Sequence, residues 1–394
     1  MPKRPEDICP EPTLQSVNAD SLLNPGIYPA AVYRCADPDE ALALLEGRQP
    51  GYVYQRDGHP NADALSAKCA RLHQAEWAVV TSSGMSAMAS ALLAFVQHGD
   101  HLVVSDGVYG HSINLLRTEA SRMGIDTTLV DTNDVEATIA AVRSNTKMIV
   151  AETISNPLLR VANIKALAEI ARDTDAKLLI DNTFATPIVC QPLLHGADLV
   201  LESISKMMNG HGDVMLGMLA GRSDELARVR RVMSVWGLTS SPFDCWLAAR
   251  GLATLPLRMQ QACISALEIA RFLSGHDKID EVVYPGLPNH PDYQLAVDQF
   301  RGQFGCVVTF RLAADADGTA DFIRTCQAIP FCPSLGDVST TLSHPASTSH
   351  RSLSEEEQAA LGIGPNSIRL SVGTEPANSI VDALDKALSQ LSEG

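Results

Sequence analysis

Basic residues are in short supply in this 394-residue chain, where 30 Lys and Arg stand against 46 Asp and Glu for a formal net charge of −16. Nucleic-acid backbones and anionic membrane surfaces are held by clustered cations, so neither is an expected partner and a small molecule takes their place. Long apolar runs are missing as well. None approaches the roughly 18 residues of a membrane span, and the opening MPKRPEDICPEP lacks the apolar core of a signal peptide. The nine cysteines form no C-x-x-C pair and no regular spacing, which excludes a disulfide framework or a cysteine zinc site and places the chain in a reducing compartment, read here as the cytoplasm. His344 and His350 in SHPASTSH fit no common zinc spacing, so no metal is expected. There is no G-x-G-x-x-G after the first strands and no G-x-x-x-x-G-K-[ST], which argues against a dinucleotide or a triphosphate.

What is present is a core-sized hydrophobic fraction, 45%, in a chain long enough for two domains. From residue 77 one theme repeats: a short β-branched run, a turn, then helical spacing. The runs are WAVVTSS (77–83), HLVVSD (101–106), DTTLVD (126–131), KMIVAET (147–153), KLLIDNT (177–183) and ADLVLES (197–203), with helical candidates such as 85–97 and 164–174 between them. Strands alternating with helices predict right-handed crossovers and a mostly parallel α/β sheet covered on both faces. Residues 1–60 read as an extended arm, 61–250 as the large α/β domain, and 251–394 as a smaller α+β domain. In the last of these a long helical stretch interrupted at Pro256 is followed by the strands EVVYPG, CVVTFRL and SIRLSVG and by a closing amphipathic helix from Asn378 to Leu391. Ligands of such sheets gather at the carboxyl ends of the strands.

Lys206, one of only eight lysines, falls at such an end, in LESISKMMNGHGDVMLG (201–217). A lysine there is ordinarily a solvated charge. An amine also condenses with aldehydes, and the aldehyde cofactor pyridoxal phosphate then needs a carboxylate for its ring nitrogen, ligands for its phosphate and a stacking face. Asp181, directly after KLLI, offers the carboxylate, although an aspartate before Asn also caps turns. Thr183 falls on the same side of an extended segment, within reach of the ring hydroxyl. TSSGMSAM (81–88) runs from strand to helix and presents backbone N–H groups at Gly84 and Met85 to a phosphate, or is an ordinary Ser/Gly helix cap. Ser203 and Ser205, alternating with Ile204 in an extended segment, would complete the phosphate site, and Tyr109 would supply the stacking face.

Taken as an ordered set, SSGMSAM, YGHS, ETISNPLLRV, DNTFATP, SISKMMNGHGD, SLGDVSTTLSHPASTSH and IRLSVGTE resemble the Cys/Met-metabolism (transsulfuration) family of pyridoxal-phosphate enzymes, from about residue 28 to the C-terminus. The resemblance implies a fold-type I architecture with Lys206 joined to the cofactor aldehyde, Asp181 on the pyridine nitrogen, Tyr109 stacked on the ring, and Gly84, Met85, Ser203 and Ser205 on the phosphate. Tyr54 and Arg56 match a Tyr-x-Arg pattern that in relatives reaches a neighbouring subunit's phosphate, which implies a homo-oligomer, usually a dimer of dimers. Arg369 would clamp the substrate carboxylate, helped by Asn156 and Ser334. The implied chemistry is carbon–sulfur cleavage by elimination at Cγ or Cβ of a sulfur amino acid such as cystathionine. The alternatives are γ-replacement on a homoserine ester or, from another class, a regulatory protein that binds the cofactor without turnover. Two departures bear on specificity: Ser339 stands where relatives acting on cystathionine often carry Glu, and His111 where Gly or Cys is usual. His111 is thus a candidate for the specificity pocket or an exposed turn residue. Met207 replaces the aromatic residue common after the lysine.

Overall fold

The computed structural model describes residues 3–13, 25–222, 224–349, 351 and 354–391. His350 lies outside the described residues, as does part of the N-terminal arm.

All six β-branched runs form strands: β1 (Trp77–Thr81), β2 (His101–Ser105), β3 (Asp126–Val130), β4 (Thr146–Glu152), β5 (Lys177–Asp181) and β6 (Leu199–Glu202). A seventh, β7 (Gly217–Gly221), was not anticipated, because GMLAG has glycine at both ends and no β-branched residue. The order is β1-β7-β6-β5-β4-β2-β3. β7 runs antiparallel to both its neighbours, and the other pairings are parallel. Alternate residues of each central strand serve opposite faces, as the two-residue period of a strand requires. Ile149, Leu178, Ile180 and Val200 pack on one side, and Met148, Val150, Leu179 and Leu199 on the other. A helix covers each side. Ile164–Asp173 buries Leu167, Ile170 and Ala171 and is capped by Asn163, whose side chain accepts from the Ala166 N–H. Gly84–Phe95 buries Met88, Ala91 and Leu92 on the other side. Each large apolar side chain so removed from water contributes roughly 1.5–3 kcal/mol.

The helical stretch expected to be interrupted at Pro256 is two helices, Pro242–Ala253 and Leu255–Ser274, with Pro256 in the first turn of the second, where its missing N–H leaves no bond unmade. Beyond it β8 (Ile279–Val283), β9 (Val307–Leu312), β10 (Thr341–Ser343) and β11 (Ser367–Ser371) form an antiparallel sheet in the order β10-β11-β9-β8. Leu255–Ser274 and the closing helix Ala377–Leu388 pack on it. The fold is thus a mixed α/β chain of the fold-type I class, with a mostly parallel sheet and a smaller antiparallel one. Among the described residues no helix is long and apolar enough to cross a membrane.

Candidate active site

The carboxyl ends of β2, β4, β5 and β6 open into a cavity of about 1000 Å³, whose far wall comes from the second sheet and its loops. Of the residues expected to hold the cofactor or the substrate, all but Tyr54, Arg56 and Ser339 line it. Tyr54 is 42% exposed, with the Arg56 guanidinium 5.1 Å from its ring centroid, and Ser339 is an exposed loop residue.

Lys206 stands in a turn rather than on a strand. β6 ends at Glu202, and residues 204–209 are in turn conformation, with the Lys206 N–H donating to the Ser203 carbonyl. The expected extended run through Ser203 and Ser205 is therefore replaced by a reversal. Ser205 Oγ closes that reversal by donating to the Leu216 carbonyl (3.1 Å) and accepting from its N–H (2.9 Å). Two features outside the sequence reading hold the turn. Arg258, on the long helix, donates to the carbonyls of Met207 (2.7 Å) and Met208 (3.0 Å). Gly336, at φ +83°, passes so close that a Cβ there would lie 2.6 Å from the Met207 nitrogen and 2.9 Å from the Lys206 carbonyl carbon.

The lysine amine donates to Ser334 Oγ at 2.9 Å. Burial, then the charge of Arg369, pushes its pKa below the usual lysine value. Arg369, on β11, is only 3% exposed. Its Nη1 donates to Asn156 Oδ1 (2.9 Å) and its Nη2 to the Ser334 carbonyl (3.1 Å), while its Nε has no partner among the described residues. Burial lowers its pKa to about 10. A buried guanidinium with a free donor is suited to a carboxylate from outside the chain.

Across the cavity Asp181 closes β5. Its Oδ1 accepts from both the N–H (2.9 Å) and the hydroxyl (2.6 Å) of Thr183, and the same hydroxyl accepts from the Ser203 N–H (2.9 Å). Asp181 thus caps its turn, as the simpler reading has it, and also lines the cavity. Thr183's own proton is committed to Asp181 rather than free for a ring hydroxyl. Burial, only partly offset by these bonds, raises the Asp181 pKa to about 6. Glu152, which sequence reasoning missed, ends β4 in register with Asp181. Its pKa is driven well above the carboxylate range by burial, then by the Asp181 charge. Tyr109, the residue before the helical turn Gly110–Ile113, donates its N–H to Glu152 Oε1 (2.7 Å), and its ring lies edge-on to His111 with centroids 5.3 Å apart.

The cavity floor fits a phosphorylated pyridine aldehyde. Helix Gly84–Phe95 points its N-terminus there, with Ser83 as cap, accepting from the Ser86 N–H. A Cβ on Gly84 would meet Ser203 Cβ at 2.9 Å, so the glycine keeps the helix start and the Ser203 loop close together around an anion-sized cradle. Elsewhere, the ring of His344 is occupied by Ser347 Oγ (2.8 Å) and the Pro365 carbonyl (2.9 Å).

Comparison with known proteins agrees with this geometry. The family described as "Cys/Met metabolism PLP-dependent enzyme" matches residues 13–389. O-succinylhomoserine sulfhydrylase of Pseudomonas aeruginosa is 40% identical over 96% of this chain and 93% of its own length. L-methionine gamma-lyase of Porphyromonas gingivalis is 36% identical over 95% and 94%. A crystal structure of cystathionine gamma synthase from Xanthomonas oryzae in complex with cystathionine superposes with a TM-score of 0.92 at 33% identity, covering 99% of this chain and 98% of that one. With a lysine amine, a buried arginine and a paired aspartate brought to one cavity, and with family similarity along nearly its whole length, the chain belongs to the Cys/Met-metabolism family of pyridoxal-phosphate-dependent enzymes.

Proposed function

We propose that the enzyme cleaves the bond between Cγ and its heteroatom in an amino acid whose side chain ends in a second carboxylate, by γ-elimination from a thioether such as cystathionine. The observation that carries this reading is a pair of additional cations in the cavity wall of an acidic chain, Arg117 and Arg351. Arg117 follows Tyr109 and His111 on one helical segment. Arg351 lies near enough to Tyr109 to oppose the rise that burial imposes on its hydroxyl. Arg369 and Asn156 hold the α-carboxylate, Lys206 takes the Cα proton, and Tyr109 protonates the departing sulfur. Pyridoxal phosphate supplies the electron sink for the charge left at Cα, with Asp181 beside its ring nitrogen and Gly84, Met85, Ser203 and Ser205 around its phosphate.

A second reading, γ-replacement on O-succinylhomoserine, is favoured by the same cations, because that ester also ends in a carboxylate, and by the sulfhydrylase relative. Incubation with L-cystathionine, followed by chromatography of the oxo acid, separates them. 2-Oxobutanoate supports γ-elimination and pyruvate supports β-cleavage. Absence of both, with homocysteine formed from O-succinylhomoserine and sulfide, supports replacement. Arg117→Ala is expected to lower kcat/KM about 10-fold for a substrate with a distal carboxylate and to leave methionine, which has none, unchanged. Equal losses on both would remove the cations from the argument.

The reading includes a homo-oligomer, a dimer of dimers, in which residues 1–60 reach a neighbour while 61–250 hold the cofactor and 251–394 form the second domain. Tyr54 and Arg56 would then meet the neighbour's phosphate. Their exposure outside the cavity supports this, as do the uncovered apolar side chains Val32 (68% exposed) and Trp236 (60%).

The raised carboxylates have a consequence for the protein stripped of cofactor. Asp181 titrates near 3.8 when unfolded and about 6 when folded, so its favourable contribution is complete below 3.8 and is lost as pH rises through 6. The shift corresponds to at most about 3 kcal/mol, and the opening of the carboxyl onto the cavity reduces this to about 1–2 kcal/mol. Asp181→Asn keeps an oxygen for Thr183 and removes the charge. Its apoprotein should therefore withstand urea better than the parent by that amount at about pH 7.5, with the gap narrowing as pH falls through 6 and closed below about 3.8. A variant weaker at the higher pH would contradict the assignment.

A further inference from the structure

We propose that Glu152 is a positioning residue that fixes the ring-stacking Tyr109 and the carboxylate clamp of Asn156 and Arg369 against Asp181. The inference rests on the reading of Asp181 and Tyr109 as the cofactor's neighbours. Glu152 and Asp181 end adjacent parallel strands in direct register, so their side chains emerge on the same face of the sheet. The Glu152 carboxylate is 9% exposed and lies in the cavity wall. It accepts the Tyr109 N–H at 2.7 Å, and the Asn156 N–H sits close enough to favour its charged form. Asn156 in turn holds Arg369 Nη1 at 2.9 Å. One carboxylate therefore ties the loop after β2 to the loop after β4, and through Asn156 reaches β11 of the second sheet.

Two neutral backbone donors do not require a charged acceptor. A second buried carboxylate beside Asp181 works against both burial and mutual repulsion, which raise the pKa of the pair. Positive charge placed between them, as a protonated ring nitrogen would supply, offsets that repulsion. Ionised Glu152 then grips both N–H groups more strongly, because charge-assisted hydrogen bonds are about twice as strong as neutral ones. Cofactor binding and the setting of Tyr109 and Asn156 become one event.

Glu152→Asp and Glu152→Gln separate position from charge. Aspartate keeps the charge and withdraws the oxygens by one methylene. Glutamine keeps the length and turns an NH2 group toward one of the two donors. Three quantities are read on each purified protein: pyridoxal phosphate affinity by titration of the apoprotein, visible circular dichroism of the bound cofactor, and KM against kcat on the substrate. Both variants are expected to bind the cofactor about 10-fold more weakly, to lose at least half of the visible dichroism, and to raise KM as well as lower kcat. The Glu152→Gln apoprotein, with one buried carboxylate fewer, should unfold at or above the parent's temperature. A Glu152→Asp protein with parental dichroism and affinity overturns the positioning role, since charge alone would then suffice. Unchanged dichroism in both variants alongside lowered unfolding temperatures overturns it in favour of plain structural support. If Glu152→Gln does not fold, Glu152→Asp decides alone. A parent chain that fails to bind pyridoxal phosphate would refute the underlying site reading, an outcome distinct from parental behaviour in the variants.

Discussion

Lys206→Ala is expected to reduce kcat by about 10⁴-fold or more and to abolish the yellow absorbance of the lysine-bound cofactor. The size follows from what the cavity contains. Lys206 is the only lysine among the described residues that line it. Asp181 and Glu152, two carboxylates that also line it, hold their protons to higher pH than usual. The lysine's own environment favours its basic form: desolvation and the Arg369 charge both disfavour the ammonium, and Ser334 Oγ at 2.9 Å fixes the direction of its nitrogen. Removing the amine takes away both the covalent tether and the proton acceptor. Lys206→Arg gives the sharper control, because a guanidinium keeps positive charge without acting as a base near neutrality. Retention of the absorbance, or of more than about a tenth of kcat, in the alanine variant would rule out Lys206 as the tether.

The sheet was legible because each of its parallel strands is a β-branched run followed by helical spacing, and burial on both faces leaves such runs little freedom to be anything else. β7 escaped notice because GMLAG gains its strand conformation from pairing on both sides with β1 and β6, not from its own residues. Lys206 and Asp181 could be found because their motifs follow apolar strands, whereas Arg369 was found only through the resemblance of IRLSVGTE to the family. How Lys206 is held could not be read, since Arg258 and Gly336 act across 51 and roughly 130 residues of chain through carbonyls and close approach, which leave no pattern in the sequence. The run SISK reads as alternating and extended, yet it reverses at Ser203 because Ser205 finds a better partner in the Leu216 backbone. Glu152 was hidden for a different reason: a glutamate ending a strand looks like a solvated charge until the register with Asp181 and the Tyr109 N–H are known.

Arg369→Ala should cost about 2–5 kcal/mol in kcat/KM, a fall of some 30- to several thousand-fold, with most of it appearing in KM. The partition follows from the timing of the contact. A substrate carboxylate is bound before the Cα proton leaves and stays bound afterwards, so the interaction is made about equally in ground and transition states. The magnitude follows from burial, because the guanidinium is 3% exposed and two of its nitrogens are already spent on Asn156 and the Ser334 carbonyl. Those bonds fix the plane of the fork, and the unpartnered Nε marks donor capacity still unused. Arg369→Lys distinguishes charge from geometry. An ammonium keeps the charge but cannot offer parallel donors while also reaching Asn156 and Ser334, so its loss should be nearly as large as that of alanine. Ser334 links this site to Lys206, accepting from the amine on its hydroxyl and from the guanidinium on its carbonyl. Arg369→Ala should therefore also raise the pKa of the free lysine amine, because the nearby cation that opposes its protonation is gone. The pH above which kcat reaches its plateau would move upward in that variant. Steady-state kinetics from about pH 6 to 10 test both claims together. An unchanged KM with either substitution would refute the clamp, and an unmoved pH profile in Arg369→Ala would show that burial alone sets the acidity of Lys206.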